Sequence, residues 1–566
     1  MSRLAPVLAA ASLAAVWIPS TAAAHAVLEG SAPRAGEVLR AAPSSLVLRF
    51  SEPVEGNFGA IRVYDANGKR IDQGGAYHPG GKGSELAVNV RRDAPDGSAT
   101  AVWRVVSADS HVVSGGLVFA IGRTTVPNRS VSDLAAEGEP SVAVDAAIGI
   151  ARGLQFLAIG VGLGVVLFLL LTWVPTLSRG PAGGAEADRQ LRRRAVIVLR
   201  AAGLVGLIAS ASGIVAQGAL AAGVGLFGGG RPDVVMDTLG TRFGAVWAGA
   251  LIAWGFVVAL AGVLRSSGRR SAWVAPPLAF LAAVPALSGH ATTHSPTGVL
   301  AAANIVHVVA VSAWTGGVVA MLVCALPASR AVGRSGGRLA LSSLERFSSV
   351  ALGAVAVVVL TGILQSLLVL DSVSMLVDSA YGRALLAKIA LLAGLLVLGA
   401  VHRLVVLPRM RLSDGARGER GIGLATRLLA AETAVFVAVF AATAALASYP
   451  PVAPDSQGPV SRTIQSGPVE VQMSVDPARV GVNVIHLYIA DTRTGALDSS
   501  AREVTVTEVS SADPEGKISQ TARRAGPGHW IAGQVPLTSR GDWKVSVAIR
   551  VSEFEQYTAE ATVPVR

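Results

Sequence analysis

Residues 100–122 read TAVWRVVSADSHVVSGGLVFAIG, two runs rich in Val, Phe and Trp on either side of the polar stretch 107–111. β-Branched and aromatic residues in alternation, bounded by Ser, Asp and Gly, form half-buried strands. Upstream, SLVLRF, AIRVYD and LAVNV repeat the pattern, and DANG, HPGGKG and DAPDG supply the turns between them. Residues 25–122 therefore read as an exported all-β sandwich. Asp109 and His111 are two residues apart in a strand or strand end, so both side chains point to one face.

The chain begins MSRLAPVLAAASLAAVWIPSTAAA, with a basic residue near the start, an apolar middle and a small-residue ending. That is the pattern of a secretory signal over residues 1–24. Cleavage after Ala24 would make His25 the first residue of the mature chain, where its α-amine and imidazole form a metal chelate. Two imidazoles, an amine and a carboxylate from His25, His111 and Asp109 form a set suited to tetragonal Cu(II). Residues 25–122 contain no methionine, so the soft thioethers that select Cu(I) are absent from this part of the sequence. His78, in AYHPGG, reads as a loop histidine.

Beyond a linker at 123–145 the composition changes. The chain is 51% hydrophobic and 15% charged, with mean hydropathy +0.53, a balance that requires many membrane spans. Eight apolar segments follow, at about 146–173, 195–227, 243–264, 272–288, 298–326, 350–370, 384–407 and 428–449. The fourth, with Pro276, Pro277 and Pro285, reads as kinked or partly re-entrant. The net charge of +11 does not indicate nucleic acid, because the basic residues punctuate apolar runs. Loops after the odd-numbered spans hold 18 arginines, from Arg179 to Arg427, against Arg231, Arg242 and Arg383 on the other side. That asymmetry places the odd-numbered ends in the cytoplasm and both chain ends outside. The lone cysteine, Cys324, falls within an apolar segment, so the exported parts have no disulfide framework.

Within the apolar region, LSGHATTHSP presents His290 and His294 on the outer side. Asn304, His307, Val311 and Trp314 follow one helical stripe, and an ionisable residue at membrane depth marks a functional site. Arg152, Gln217, Gln365, Lys388 and Glu432 are further polar residues there, to which the sequence assigns no role. After a linker at 450–465, residues 466–566 alternate again and read as a second exported β domain. Trp530 and Trp543 read as core there, and Met473, His486 and His529 as too scattered for a site.

HAVLEGSAPRAGEVL, LRFSEPVEG and VVSADSHVVSGGLVFAIG together resemble the CopC copper-resistance family. That resemblance implies His25, Asp109 and His111 as Cu(II) ligands, with Glu52 of FSEP as a supporting or axial acid. SGHA, NIVHVVAVSAWTGG, RFSSVA, YGRALLAKIALL and ETAVFVAVFAATAAL resemble the CopD family over residues 146–449. That implies copper handling across the membrane, with His290 and His307 the best-matching path residues. Asn304 stands where the family often has an acid. AGPGHWIAGQVPLTSRGDWKVSV is similar to YtkA-like domains.

The sequence thus predicts a non-enzymatic, multi-pass copper transport protein of the plasma (inner) membrane, with both β domains extracytoplasmic. Its partners would be the copper ion, the lipid bilayer and an extracytoplasmic copper chaperone or reductase. The alternatives are a copper-resistance or sensing protein without import, and a membrane copper or haem oxidoreductase.

Overall fold

The computed structural model describes residues 26, 28–34, 37–56, 59–107, 112–123, 125, 134, 141–178, 184–266, 269–289, 296–333, 336–370, 373, 375–411, 416–447, 460–476, 478–492, 500–526 and 528–565. Its contacts divide the chain into a helical unit, residues 146–214 and 242–453, and a second unit, residues 25–145, 215–241 and 454–566.

In the second unit the described residues of the N-terminal β region form eight strands: β1 Leu28–Ala32, β2 Val38–Leu39, β3 Ser45–Phe50, β4 Val54–Glu55, β5 Ile61–Tyr64, β6 Glu85–Asn89, β7 Gly97–Ser107 and β8 Val112–Ile121. One sheet has the order β1-β3-β6, the other β2-β8-β7-β4, with β5 also on β7. Alternation sends Ala99, Ala101, Trp103 and Val105 of β7 into the sandwich core. The opposite face of β7 places Val102 in a small cluster with Tyr64 and Leu134.

The C-terminal region is also all-β. Its strands are β9 Val460–Ser466, β10 Val469–Asp476, β11 Gly481–Asp491, β12 Glu503–Ser510, β13 Asp513–Thr521, β14 Arg523–Gly526, β15 His529–Leu537, β16 Gly541–Arg550 and β17 Gln556–Val565. They form two sheets, β14-β15-β11-β10-β9 and β13-β12-β16-β17. Val471 and Met473, Ile485 and Leu487, and Trp530 and Trp543 fill the core between them.

Among the described residues, eight helices are long and apolar enough to cross a membrane: α1 Val142–Leu177, α2 Gly184–Ala222, α3 Arg242–Arg265, α4 Arg270–Leu287, α5 Thr297–Arg330, α6 Gly336–Val369, α7 Ala380–Arg411 and α8 Gly421–Leu446. The fourth keeps α-helical geometry over Ala275–Leu287 with Pro285 inside it; Pro276 is in its first turn, where a missing N–H costs nothing. Where α1 crosses α5, a methyl added at Gly316 would lie 2.5 Å from the Gly164 Cα, and one at Gly164 would lie 2.0 Å from the Ser312 carbonyl oxygen. Small residues let the two backbones touch. In α1, Arg152 donates to the Ala447 carbonyl at 2.7 Å, capping the end of α8.

Three helices widen to a π turn near their ends, at Leu169–Trp173, Met321–Ala325 and His402–Val406. Each π turn lies just before a proline, Pro175, Pro327 or Pro408. Proline has no N–H and its ring collides with the carbonyl four residues back, and the wider turn relieves that collision. Arginines collect two of the displaced carbonyls. Arg346 Nε donates to Leu171 O at 2.8 Å and an Arg194 guanidinium nitrogen to Val323 O at 3.4 Å.

Candidate metal centre

Of the residues singled out in the sequence, His25, Asp109, His111, His290 and His294 lie outside the described residues, whereas Glu52 and His307 are described. Described strands lie next in sequence to His25, Asp109 and His111. Leu28 pairs with Phe50, two residues before Glu52. Val54 pairs with Ser107, and Val106 with Val112 across the β7–β8 pair. The Ser107 hydroxyl donates a hydrogen bond to Glu52 Oε1, and Ala26 is buried in the same core. Among the described residues, no group of three or more His, Cys, Asp or Glu side chains comes together.

His307 lies on the wall of a cavity of about 260 Å³ in the helical unit, with Asn304, Gln365, Tyr381, Lys388 and Thr443. Its Nδ1 is 2.8 Å from Thr361 Oγ1. That hydroxyl gives its one proton to the Val357 carbonyl at 2.6 Å, so it accepts from His307 Nδ1–H. Nε2 then carries the lone pair of the neutral ring, the arrangement by which an outer partner readies a histidine for a metal. Asn304 Nδ2 donates to Gln365 Oε1 at 3.2 Å, while Asn304 Oδ1 is buried without a hydrogen-bond partner. One turn of α5 therefore offers an imidazole nitrogen and an amide oxygen. Lys388 lies on the same wall, so the cavity also contains an amine.

A second cavity, of about 240 Å³, is lined by Trp314, Phe347, Ser348, His402, Arg403 and Glu432. His402 Nδ1 lies 3.8 Å from Glu432 Oε1. His402 Nε2 and Glu432 Oε1 are buried without hydrogen-bond partners. The predicted stripe on α5 runs through both cavities, with His307 and Val311 in the first and Trp314 in the second. Sequence reading did not single out His402, although a histidine inside the seventh apolar segment was a sufficient signal. Thr361 gave no signal, since its role depends on packing against α5.

The C-terminal region corrects one expectation. His486 and His529 are 43 residues apart, yet His486 Nδ1 and His529 Nε2 lie 3.3 Å apart. Antiparallel pairing sets Tyr488 opposite His529 and His486 opposite Ile531. All three side chains share the face of the sheet away from the core, and Met473 is on the other face, in the core. Burial pushes His486 down to about 4 and His529 to about 3.

Comparison with known proteins agrees with this architecture. Residues 28–122 match the CopC domain family, 143–298 the copper resistance protein D-like N-terminal domain, and 341–446 copper resistance protein D. The chain therefore joins a CopC-type domain and copper resistance protein D-type domains in one polypeptide. It is similar to copper transport protein CutJ of Bacillus subtilis (strain 168), with 28% identity over 554 residues and 96% of each chain covered. Protein YobA of Escherichia coli (strain K12) is 31% identical over 98 residues, covering 17% of this chain and 79% of its own. The crystal structure of CopC from Methylosinus trichosporium OB3b aligns with 29% identity, 19% of this chain, 98% of that one and a TM-score of 0.16. Copper resistance or copper transport is named in two of these family descriptions and in the full-length relative.

Proposed function

We propose that the protein captures Cu(II) outside the cytoplasmic membrane and passes copper inward through the helical unit. His25, Asp109 and His111 would hold the ion, with Glu52 beside them. His290 and His294 would receive it at the outer mouth, and the route would continue past Asn304 and His307 to the cavity of His402 and Glu432. A capture domain on the same chain raises the local copper concentration at the entrance. Both β domains, the C-terminal one YtkA-like, would be extracytoplasmic, with a separate chaperone or reductase as partner. The observation that carries this reading is the Thr361 hydroxyl at His307 Nδ1, which leaves Nε2 as the ligating nitrogen of a cavity wall.

Radioactive copper uptake into vesicles of known orientation tests it. Inward accumulation that falls in a His307→Ala variant is expected, and accumulation independent of the protein would overturn it. Lys388 favours a second reading, because an amine in the cavity opposes a passing cation. In that reading the protein confers resistance by holding copper without importing it. Cellular copper decides between them, since import predicts less copper in cells that lack the protein.

A further inference from the structure

We infer that His486 and His529 form a second copper site, in the C-terminal β region, that takes the ion as Cu(I). The inference uses the copper-handling reading only for the identity of the ion. Its geometric basis is the pair of facing ring nitrogens, 3.3 Å apart. With metal–imidazole bonds of about 2.05 Å, that separation subtends about 107° at an ion placed between them. A tetrahedral d¹⁰ ion whose shell is completed by non-protein ligands fits this angle, whereas adjacent positions of a square-planar Cu(II) ion would bring the nitrogens to about 2.9 Å.

The surroundings select the charge. His486 is 5% exposed, His529 2% and Tyr488 3%. The Tyr488 ring stacks on His529 at 4.4 Å and 8°. Among the described residues, no Asp, Glu or Cys joins the pair to make a three-residue cluster. The Arg523 guanidinium acts on His529 from the neighbouring strand, so positive charge is already present and a buried dication would be less compensated than a monocation.

The contacts within the pair leave one buried polar atom unsatisfied. His529 Nδ1 is buried without a hydrogen-bond partner, a cost that two apolar side chains of similar shape would avoid. Without an ion, two neutral rings hydrogen-bonded through these nitrogens would share one proton between them. When the ion enters, that proton moves to the far nitrogen of the same ring, both facing lone pairs bind copper, and no proton need leave the protein.

The test uses the full-length protein in detergent, loaded anaerobically with Cu(I) against a colorimetric chelator. His486→Gln and His529→Gln should each lower the Cu(I) stoichiometry by about one equivalent, with the near-UV signal of Trp530 and Trp543 retained. An unchanged stoichiometry in both overturns the site, and displacement of this equivalent by Zn²⁺ overturns the monovalent assignment. Should the Gln variants not fold, His529→Met decides. A thioether there keeps Cu(I) and adds a copper–sulfur shell to the X-ray absorption spectrum, and absence of that shell overturns the proposal. These readouts do not depend on transport, so they separate failure of this site from failure of the import reading.

Discussion

The rings of Trp314 and Phe436 meet edge to face, with centroids 5.1 Å apart. Trp314 lines the cavity of His402 and Glu432. Phe436 follows Glu432 by one turn of α8 and precedes Val439, which lines the cavity of His307. The aromatic pair therefore lies between residues that line the two cavities, and copper on the proposed route would pass it. Phe436→Leu removes the ring edge, a contact of about 0.5–1.5 kcal/mol, and should speed copper accumulation in cells without loss of folded protein. Accumulation at the wild-type rate, measured by elemental analysis of washed cells, would show that the pair is only packing.

The outer histidine depends on its threonine. Thr361→Val is isosteric but removes the acceptor that fixes His307 Nδ1–H, and loss of such an outer partner costs about 10–100-fold in metal affinity or activity. Copper uptake should fall by that factor, and Thr361→Ser, which keeps the hydroxyl, should restore it. Equal uptake by the Val variant would argue against His307 as a ligand.

Lys388 shares the cavity with His307 and adds a like charge to that of the cargo. Lys388→Met should strengthen copper retention by the detergent-solubilised helical unit in the full chain by about tenfold. Chelator competition on a His25→Ala, His529→Gln background isolates that site. Weaker retention would show that the amine assists the ion.

The C-terminal core contains an acid whose pH response can be signed. Glu508 is 0% exposed, and burial pushes its carboxyl up to about 7. Its unfolded value is about 4.3. Between these values the folded chain holds a proton that the unfolded chain has released, so stability is full below the lower value and falls as pH rises towards 7. Glu508→Gln mimics the protonated form. It should leave the thermal midpoint near wild type at pH 4.5 and raise it at pH 8, as read by scanning fluorimetry. A midpoint lowered at pH 8 would reject this account.

Much of this was legible before any coordinates. Alternation in β7 and β8 gave the sandwich, and hydropathy with arginine placement gave eight spans, because both signals are local and repeat with the period of the element. The π turns were not read, although each precedes a proline, since a proline near a helix end also fits a simple stop. The His486–His529 pair was missed because register between β11 and β15, not sequence distance, decides which side chains meet. The stripe through His307 and Trp314 was legible from spacing alone. What that stripe faces, Thr361 and Gln365 on α6 and Phe436 on α8, needed the packing of three helices.

The absence of clearance between Gly164 and Gly316 divides the labour of the bundle. With backbone against backbone, α1 and α5 cannot slide or rotate past each other, so the wall that carries Asn304 and His307 behaves as a fixed jaw. The opposite wall, from α6 and α7, has most of its apolar surface outside the protein, with 11% and 6% of those windows buried against 61% and 67% for α1 and α5. On the proposed route, any opening of the path would therefore shift Thr361 and Lys388 relative to a histidine held on the rigid helix pair.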